Sequence, residues 1–259
     1  MSDRGRLPPP PPAPRPAAAW AFSWYVERLA RGTFASVRWH SRSDWRRWDP
    51  AVPTLAIANH TNWWDGFLSH QVSRAMGRDF RILMERQHLD RYKAFYRIGA
   101  LPMERRSAPQ AMRDLATATA CLVPGGMVWI YPQGQRRPAG EVPRDLEHGA
   151  AWMVRRHAGP LRVLPVAFRY PFLSEQRPEA MVLLGEPWTV EATRPDRAAI
   201  TDRLTTMLGV TLAALDADLA VERLESYDLL VAGRPSINNR MDRVRHALGL
   251  LDEYQPRNG

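Results

Sequence analysis

The sequence predicts an α/β fold, a mostly parallel central sheet flanked by helices, and three observations carry that expectation. Short runs of four to six apolar residues recur along the chain, and segments with helical spacing of leucine and alanine lie between them. Turn residues punctuate the boundaries, as where Pro53 and Asn59 bracket Thr54-Leu55-Ala56-Ile57-Ala58. Strands that alternate with helical segments indicate crossover connections and a sheet covered on both faces. The 259 residues suffice for one large domain, or one domain with a helical appendage, but not for two full domains.

In chain order, residues 1–19 read as a Pro-rich tail. The run Pro8-Pro9-Pro10-Pro11-Pro12-Ala13-Pro14 lacks backbone donors and has fixed φ, so an extended, disordered spacer is expected. Residues 20–33 mix aromatics with arginines in one helical segment. Trp20, Phe22 and Trp24 suit the lipid headgroup level and Arg28 and Arg31 suit anionic phosphates; packing of the aromatic face onto the domain is the alternative. Residues 34–195 form the α/β domain. Strands are expected at 54–58, 80–84, 127–131, 162–167 and 180–184, and helices at 64–76, 87–96, 110–122 and 146–157. Residues 196–259 read as a C-terminal helical extension, with helices over 196–231 and 240–250. There is no internal repeat and no Walker or Rossmann phosphate loop.

Composition narrows the function classes. The net charge of +9 comes almost wholly from arginine, Lys93 being the sole lysine. A cationic surface suits nucleic acid, an anionic membrane face or phosphorylated small molecules. Acids alternate with the arginines throughout, and neither a helix-turn-helix nor an RNA-binding aromatic signature is present, so no nucleic-acid partner is expected. Cys121 stands alone, which excludes a disulfide framework and a thiolate metal cage and fits a reducing compartment. No stretch of about 18 uninterrupted apolar residues and no signal-peptide core is found. These features predict a cytoplasmic protein, peripheral on the inner face of the membrane.

The chemistry concentrates after the first predicted strand, in Asn59-His60-Thr61-Asn62-Trp63-Trp64-Asp65-Gly66. Histidine accepts a proton near neutral pH, and a carboxylate on its far nitrogen fixes the tautomer and stabilises the imidazolium. No serine or cysteine stands between His60 and Asp65, so the histidine suits deprotonation of a substrate hydroxyl rather than of a protein nucleophile. The pair also stands at a strand's C-terminal edge, where ligands bind in open α/β sheets. Trp63 and Trp64 read as packing residues, one of them a candidate wall of an acyl channel. His70, His88 and His157 have no partners at metal-ligand spacing, and no metal is expected.

Four stretches, in order, resemble the blocks of the glycerolipid (lysophospholipid) acyltransferase family, which includes 1-acylglycerol-3-phosphate acyltransferase. Asn59-His60 with Asp65 resembles the first block, and Gly99-Ala100-Leu101-Pro102-Met103-Glu104-Arg105-Arg106 the second. Trp129-Ile130-Tyr131-Pro132-Gln133-Gly134-Gln135-Arg136 resembles the third, and Val163-Leu164-Pro165-Val166-Ala167 the fourth. The resemblance covers roughly residues 50–190. It departs from the family pattern where Gln133 replaces the usual glutamate and Gln135 the usual threonine.

The resemblance implies acyl transfer from an acyl-CoA or acyl carrier protein thioester to a lysophospholipid hydroxyl at an anionic membrane surface, without a cofactor. His60 is then the base and Asp65 its orienter. Arg105 is the expected phosphate ligand, with Arg106 next to it, because a guanidinium binds an oxyanion through paired donors. Gln133, Gly134 and Gln135 are expected around the acceptor, Gly134 allowing close backbone approach. Gln133 keeps a carbonyl acceptor but loses the negative charge. Altered or lost catalysis in a membrane-binding relative, and a glycolipid or other hydroxyl acceptor, are the alternatives these departures raise.

Overall fold

The computed structural model describes residues 7–234 apart from 142, 174, 192 and 193. Its strands are β1 (Ser36–Ser41), β2 (Thr54–Ala58), β3 (Asp79–Glu85), β4 (Ala100–Met103), β5 (Gly126–Ile130), β6 (Leu161–Arg169), β7 (Ala180–Leu184), β8 (Trp188–Val190) and β9 (Asp228–Ala232). They form one sheet in the order β4-β3-β5-β2-β6-β7-β1-β9, with β8 paired to β6 off that path. From β4 to β6 every pairing is parallel. β7 turns antiparallel to β6, β1 runs parallel to β7, and β9 closes the edge antiparallel to β1. The expected mostly parallel sheet is thus present.

The apolar runs are strands because both of their faces are covered. All five residues of β2 and of β5 are buried. Leu55, Ile57, Val128 and Ile130 face α4 (Ala108–Ala120), α5 (Gly149–Arg156) and α6 (Arg197–Ala220). Ala56, Ala58, Met127 and Trp129 face α1 (Pro16–Thr33) and α2 (Trp64–Ala75). The alternation follows from the two-residue period of a strand. The Trp129 indole N–H, wholly buried, donates to Ser73 Oγ at 2.7 Å and so ties β5 to α2.

Pro165 sits inside β6, in the middle of the sheet, where proline normally removes a ladder hydrogen bond. Here it removes none. Its carbonyl accepts from Gly185 N on the side away from β2, and its missing N–H points the same way. On that side β8 pairs with residues 161–163 and β7 with residues 166–169, so Pro165 occupies the gap between two partners.

Several boundaries differ from the sequence reading. The expected helix over 87–96 is α3 (Arg86–Arg91) followed by a 3-10 turn (Lys93–Ile98), broken at Tyr92. The expected helix over 196–231 stops at Ala220, and Asp228–Ala232 becomes the edge strand β9. β1, β4 and β8 were not anticipated either: β1 alternates polar and apolar residues, β4 and β8 are only four and three residues long, and β4 carries Pro102 at the sheet edge where its missing donor is harmless. α6 is long and apolar enough on average to cross a membrane. Its Ile200, Leu204, Leu208, Leu212 and Leu215 are nevertheless buried against the sheet, so it belongs to the core rather than to an extension. The helix expected over 240–250 lies outside the described residues.

The N-terminal segment also differs. α1 starts at Pro16, a favoured first-turn residue, rather than at Trp20. The described part of the tail before it is docked, not free. Arg81, itself buried, donates to the carbonyls of Pro12 (2.8 Å) and Pro11 (3.3 Å), and Arg15 N donates to Arg97 O. Pro14 packs at Gly99, whose φ of +107° and contact with Phe80 O leave no room for a Cβ.

Candidate active site

The parallel strands β4, β5, β2 and β6 present their C-terminal ends on one edge, and the chain leaving each end carries a polar residue of interest. Asn59 follows β2 and clamps it to β6: its amide donates to Phe168 O (3.1 Å) and accepts from Phe168 N (2.8 Å). That pair continues the ladder by one side chain and sets the direction in which His60 leaves the sheet.

His60 Nδ1 lies 2.8 Å from Asp65 Oδ2, with Asp65 fully buried in the first turn of α2. The same Oδ2 accepts from Thr61 N (2.8 Å) and Asn62 N (2.9 Å), while Oδ1 accepts from the Tyr170 hydroxyl at 2.5 Å. A carboxylate already serving three other donors takes a hydrogen from the imidazole rather than giving one. Nδ1 is therefore the protonated nitrogen, and Nε2 keeps its lone pair for a substrate proton.

Two tyrosines frame this pair. The Tyr131 ring stacks on the His60 ring at 4.5 Å and 17°. Its hydroxyl meets Ser69 Oγ at 2.9 Å; because Ser69 spends its hydrogen on Asp65 O, Tyr131 is the donor. Burial, and then the Asp65 charge, push both the Tyr131 and Tyr170 phenols well above the ordinary tyrosine range, so both remain O–H donors. Neither residue stood out in the sequence. The available signal was an aromatic with a polar tip directly after each of two central strands.

Gln133 is placed differently from expectation. It is buried, and its Oε1 accepts from His60 N at 2.8 Å. The carbonyl thus serves the backbone of the base, a role the sequence reading did not give it. Arg137 N, just past the third block, donates to His60 O, so this block and the residue that follows it hold both backbone groups of His60. Gln135 is exposed.

Gly134 has φ +70°, and a Cβ there would lie 2.9 Å from Glu147 Cγ and 3.3 Å from Arg105 Nη2. The second and third blocks therefore meet at this glycine. Arg105 is 41% exposed and its Nη2 is 3.8 Å from Glu147 Oε1, a long, solvated contact that leaves the guanidinium accessible. Arg106 lies further along the loop, its Nη2 3.4 Å from Gln87 Oε1.

What fixes this loop is Asp114, which sequence reasoning passed over. It accepts from Arg86 Nη2 (2.8 Å), Gln110 Nε2 (2.8 Å) and Glu104 N (2.8 Å). Glu104 in turn accepts from Arg105 N and Arg106 N, and these contacts hold its carboxyl below the usual glutamate range. Trp64 is buried against Phe34, whereas Trp63 is 53% exposed.

The family model described as Acyltransferase matches residues 37–169, just over half of the chain. Among solved structures, the crystal structure of the 1-acyl-sn-glycerophosphate (LPA) acyltransferase PlsC from Thermotoga maritima is similar in fold. Its TM-score is 0.57 at 13% identity, over 77% of this chain and 80% of that chain. No curated protein matches the sequence significantly. The matched span contains His60, Asp65, Arg105 and Gln133, and on that match this chain belongs to the Acyltransferase family.

Proposed function

We propose that the protein transfers a fatty acyl group from an acyl thioester, acyl-CoA or acyl carrier protein, to the hydroxyl of a lysophospholipid such as 1-acylglycerol-3-phosphate. The observation that carries this reading is the pairing of His60 Nδ1 with Asp65 Oδ2 at a sheet edge, which leaves Nε2 as a base with no protein nucleophile between them. Nε2 takes the acceptor's hydroxyl proton as its oxygen attacks the thioester carbonyl, and Asp65 stabilises the imidazolium. The tetrahedral oxyanion then collapses, the C–S bond breaks, and the departing thiolate receives the proton from His60. Arg105 is the ligand for the acceptor phosphate, supported by its accessibility and its approach to Gly134.

The departure at residue 133 does not argue for lost catalysis, since the Gln133 carbonyl supplies His60 N with the acceptor it needs. Purified protein incubated with labelled acyl-CoA or acyl carrier protein and a panel of acceptors tests the reading. Transfer to lysophosphatidate, abolished in His60→Ala, is expected. Thioester hydrolysis without transfer to any hydroxyl acceptor would overturn it.

We further propose that the enzyme works at the cytoplasmic face of an anionic membrane, a reading supported by the outer face of α1. α1 buries Val26 and Ala30 and sends Phe22 inward onto Phe67 and Phe95, so Phe22 is a packing residue rather than a lipid contact. Trp20 (64% exposed) and Trp24 (57%) share the opposite face with Arg28 at four-residue spacing. Exposed Trp63, on the loop that carries His60, packs on Phe67, and exposed Tyr92 packs on Phe95, the two rings that receive Phe22.

A further inference from the structure

We propose that Tyr170 is a positioning residue for acyl transfer, the third member of a relay Tyr170–Asp65–His60 in which its phenol fixes the carboxylate that orients the base. The inference rests on the reading of His60 as that base. Tyr170 lies one residue beyond the span matched to the family, and nothing in the His60/Asp65 spacing points to it.

The geometry assigns each oxygen of Asp65 a separate task. Oδ2 receives Nδ1–H of His60 and the N–H groups of Thr61 and Asn62, all from its own loop. Oδ1 receives the phenol of Tyr170, from the end of β6. Without that phenol Oδ1 loses its donor inside the protein, and the buried carboxylate is held through Oδ2 alone, with its far oxygen unsatisfied and its plane less firmly set against His60. The Tyr170 ring is itself fixed by stacking on Phe34 at 5.8 Å and 22°, so the hydroxyl is delivered by rigid neighbours. Burial and the adjacent carboxylate keep it a donor at any working pH.

Tyr131 serves the same pair from the other side. Its ring lies on His60, and its hydroxyl reaches Asp65 O through Ser69 Oγ. The dyad is therefore held by one tyrosine through the carboxylate and by the other through the imidazole and the backbone. Only the Tyr170 contact touches a carboxylate oxygen, and hydrogen bonds to charged groups are the stronger ones.

The test is Tyr170→Phe in the full chain, assayed beside His60→Ala with the same thioester and acceptor. Tyr170→Phe should lower kcat about tenfold or more, with acceptor KM within about twofold and Tm lower by several degrees, since a buried charged oxygen loses its donor. The downfield proton resonance of the His60 Nδ1–H···Asp65 bond should move. Wild-type kcat with an unmoved resonance would overturn the relay while leaving His60 as base, provided that His60→Ala is inactive. An active His60→Ala protein would instead overturn the base itself. Should Tyr170→Phe fail to fold, 3-fluorotyrosine at 170 keeps the ring and the hydroxyl but makes it a stronger donor. A moved dyad resonance with altered kcat then supports the relay, and an unchanged pair of readouts overturns it.

Discussion

Gln133 Oε1 and His60 N form a 2.8 Å hydrogen bond that joins the third block of the sequence to the first, across the adjacent strands β5 and β2. The bond uses only a carbonyl-type acceptor, which glutamine and glutamate both provide. Gln133→Leu should orphan the His60 N–H, cost about 1–3 kcal/mol of stability, and lower kcat more than acceptor binding. Gln133→Glu should retain the bond and most of the activity. Chemical denaturation and steady-state kinetics check both, and full activity in a folded Gln133→Leu protein would remove residue 133 from the site.

At Gly134 the argument is steric. A Cβ at φ +70° would press into Glu147 and toward Arg105, so Gly134→Ala should displace one of them as well as strain the backbone. Raised KM for a phosphate-bearing acceptor is the expected effect, with kcat less affected. Arg105→Ala should do the same without the strain, and Arg106→Ala should do much less. Equal losses for phosphate-bearing and neutral acceptors in Arg105→Ala would make Arg105 a structural residue.

How much of this was legible beforehand depends on periodicity and chain direction. The buried strands β2, β5, β6 and β7 announced themselves because both faces are apolar, and the C-terminal ends of the parallel strands β2, β5 and β6 mark the edge that carries the site. His60 and Asp65 were readable as a local spacing. Tyr170 and Asp114 were not, because their partners lie 105 residues away in one case and on a different loop in the other. β9 was misread as helix since Leu229, Leu230 and Val231 continue an apolar pattern; only pairing with β1 decides it. The docking of Pro11 and Pro12 was not legible because their anchor, Arg81, looks like any other arginine until the fold buries it.

His70 should make stability depend on acid. It is buried between Phe22 and Phe80, its Nδ1 has no partner among the described residues, and burial together with nearby Arg74 lowers its pKa from 6.5 to about 4. Above pH 6.5 both folded and unfolded forms hold it neutral. As pH falls from 6.5 toward 4 the unfolded chain binds the proton and the folded one does not, so stability drops by up to about 3 kcal/mol over that window. His70→Phe should flatten this part of the profile without loss of stability at pH 7. Denaturant unfolding of both proteins between pH 4 and pH 8 measures it; parallel profiles would exclude His70 as the source.

The membrane assignment is best tested on the outer face of α1, because its inner face is part of the core. Val26 and Ala30 are buried, so deleting the helix would confound anchoring with unfolding. Trp20→Gln and Trp24→Gln change exposed side chains only. Together they should weaken binding to vesicles of phosphatidylcholine and phosphatidylglycerol at least tenfold while leaving Tm within a few degrees, since inserted aromatics supply an apolar term that salt does not screen. Arg28→Gln with Arg31→Gln should remove the salt-sensitive part, about 1 kcal/mol for each basic group near an anionic surface. Activity toward a water-soluble short-chain acceptor should survive all four substitutions, as none touches His60, Asp65 or Arg105. Unchanged vesicle binding in the combined variant would move the anchor away from α1, and Trp63, exposed on the His60 loop, would become the next residue to replace.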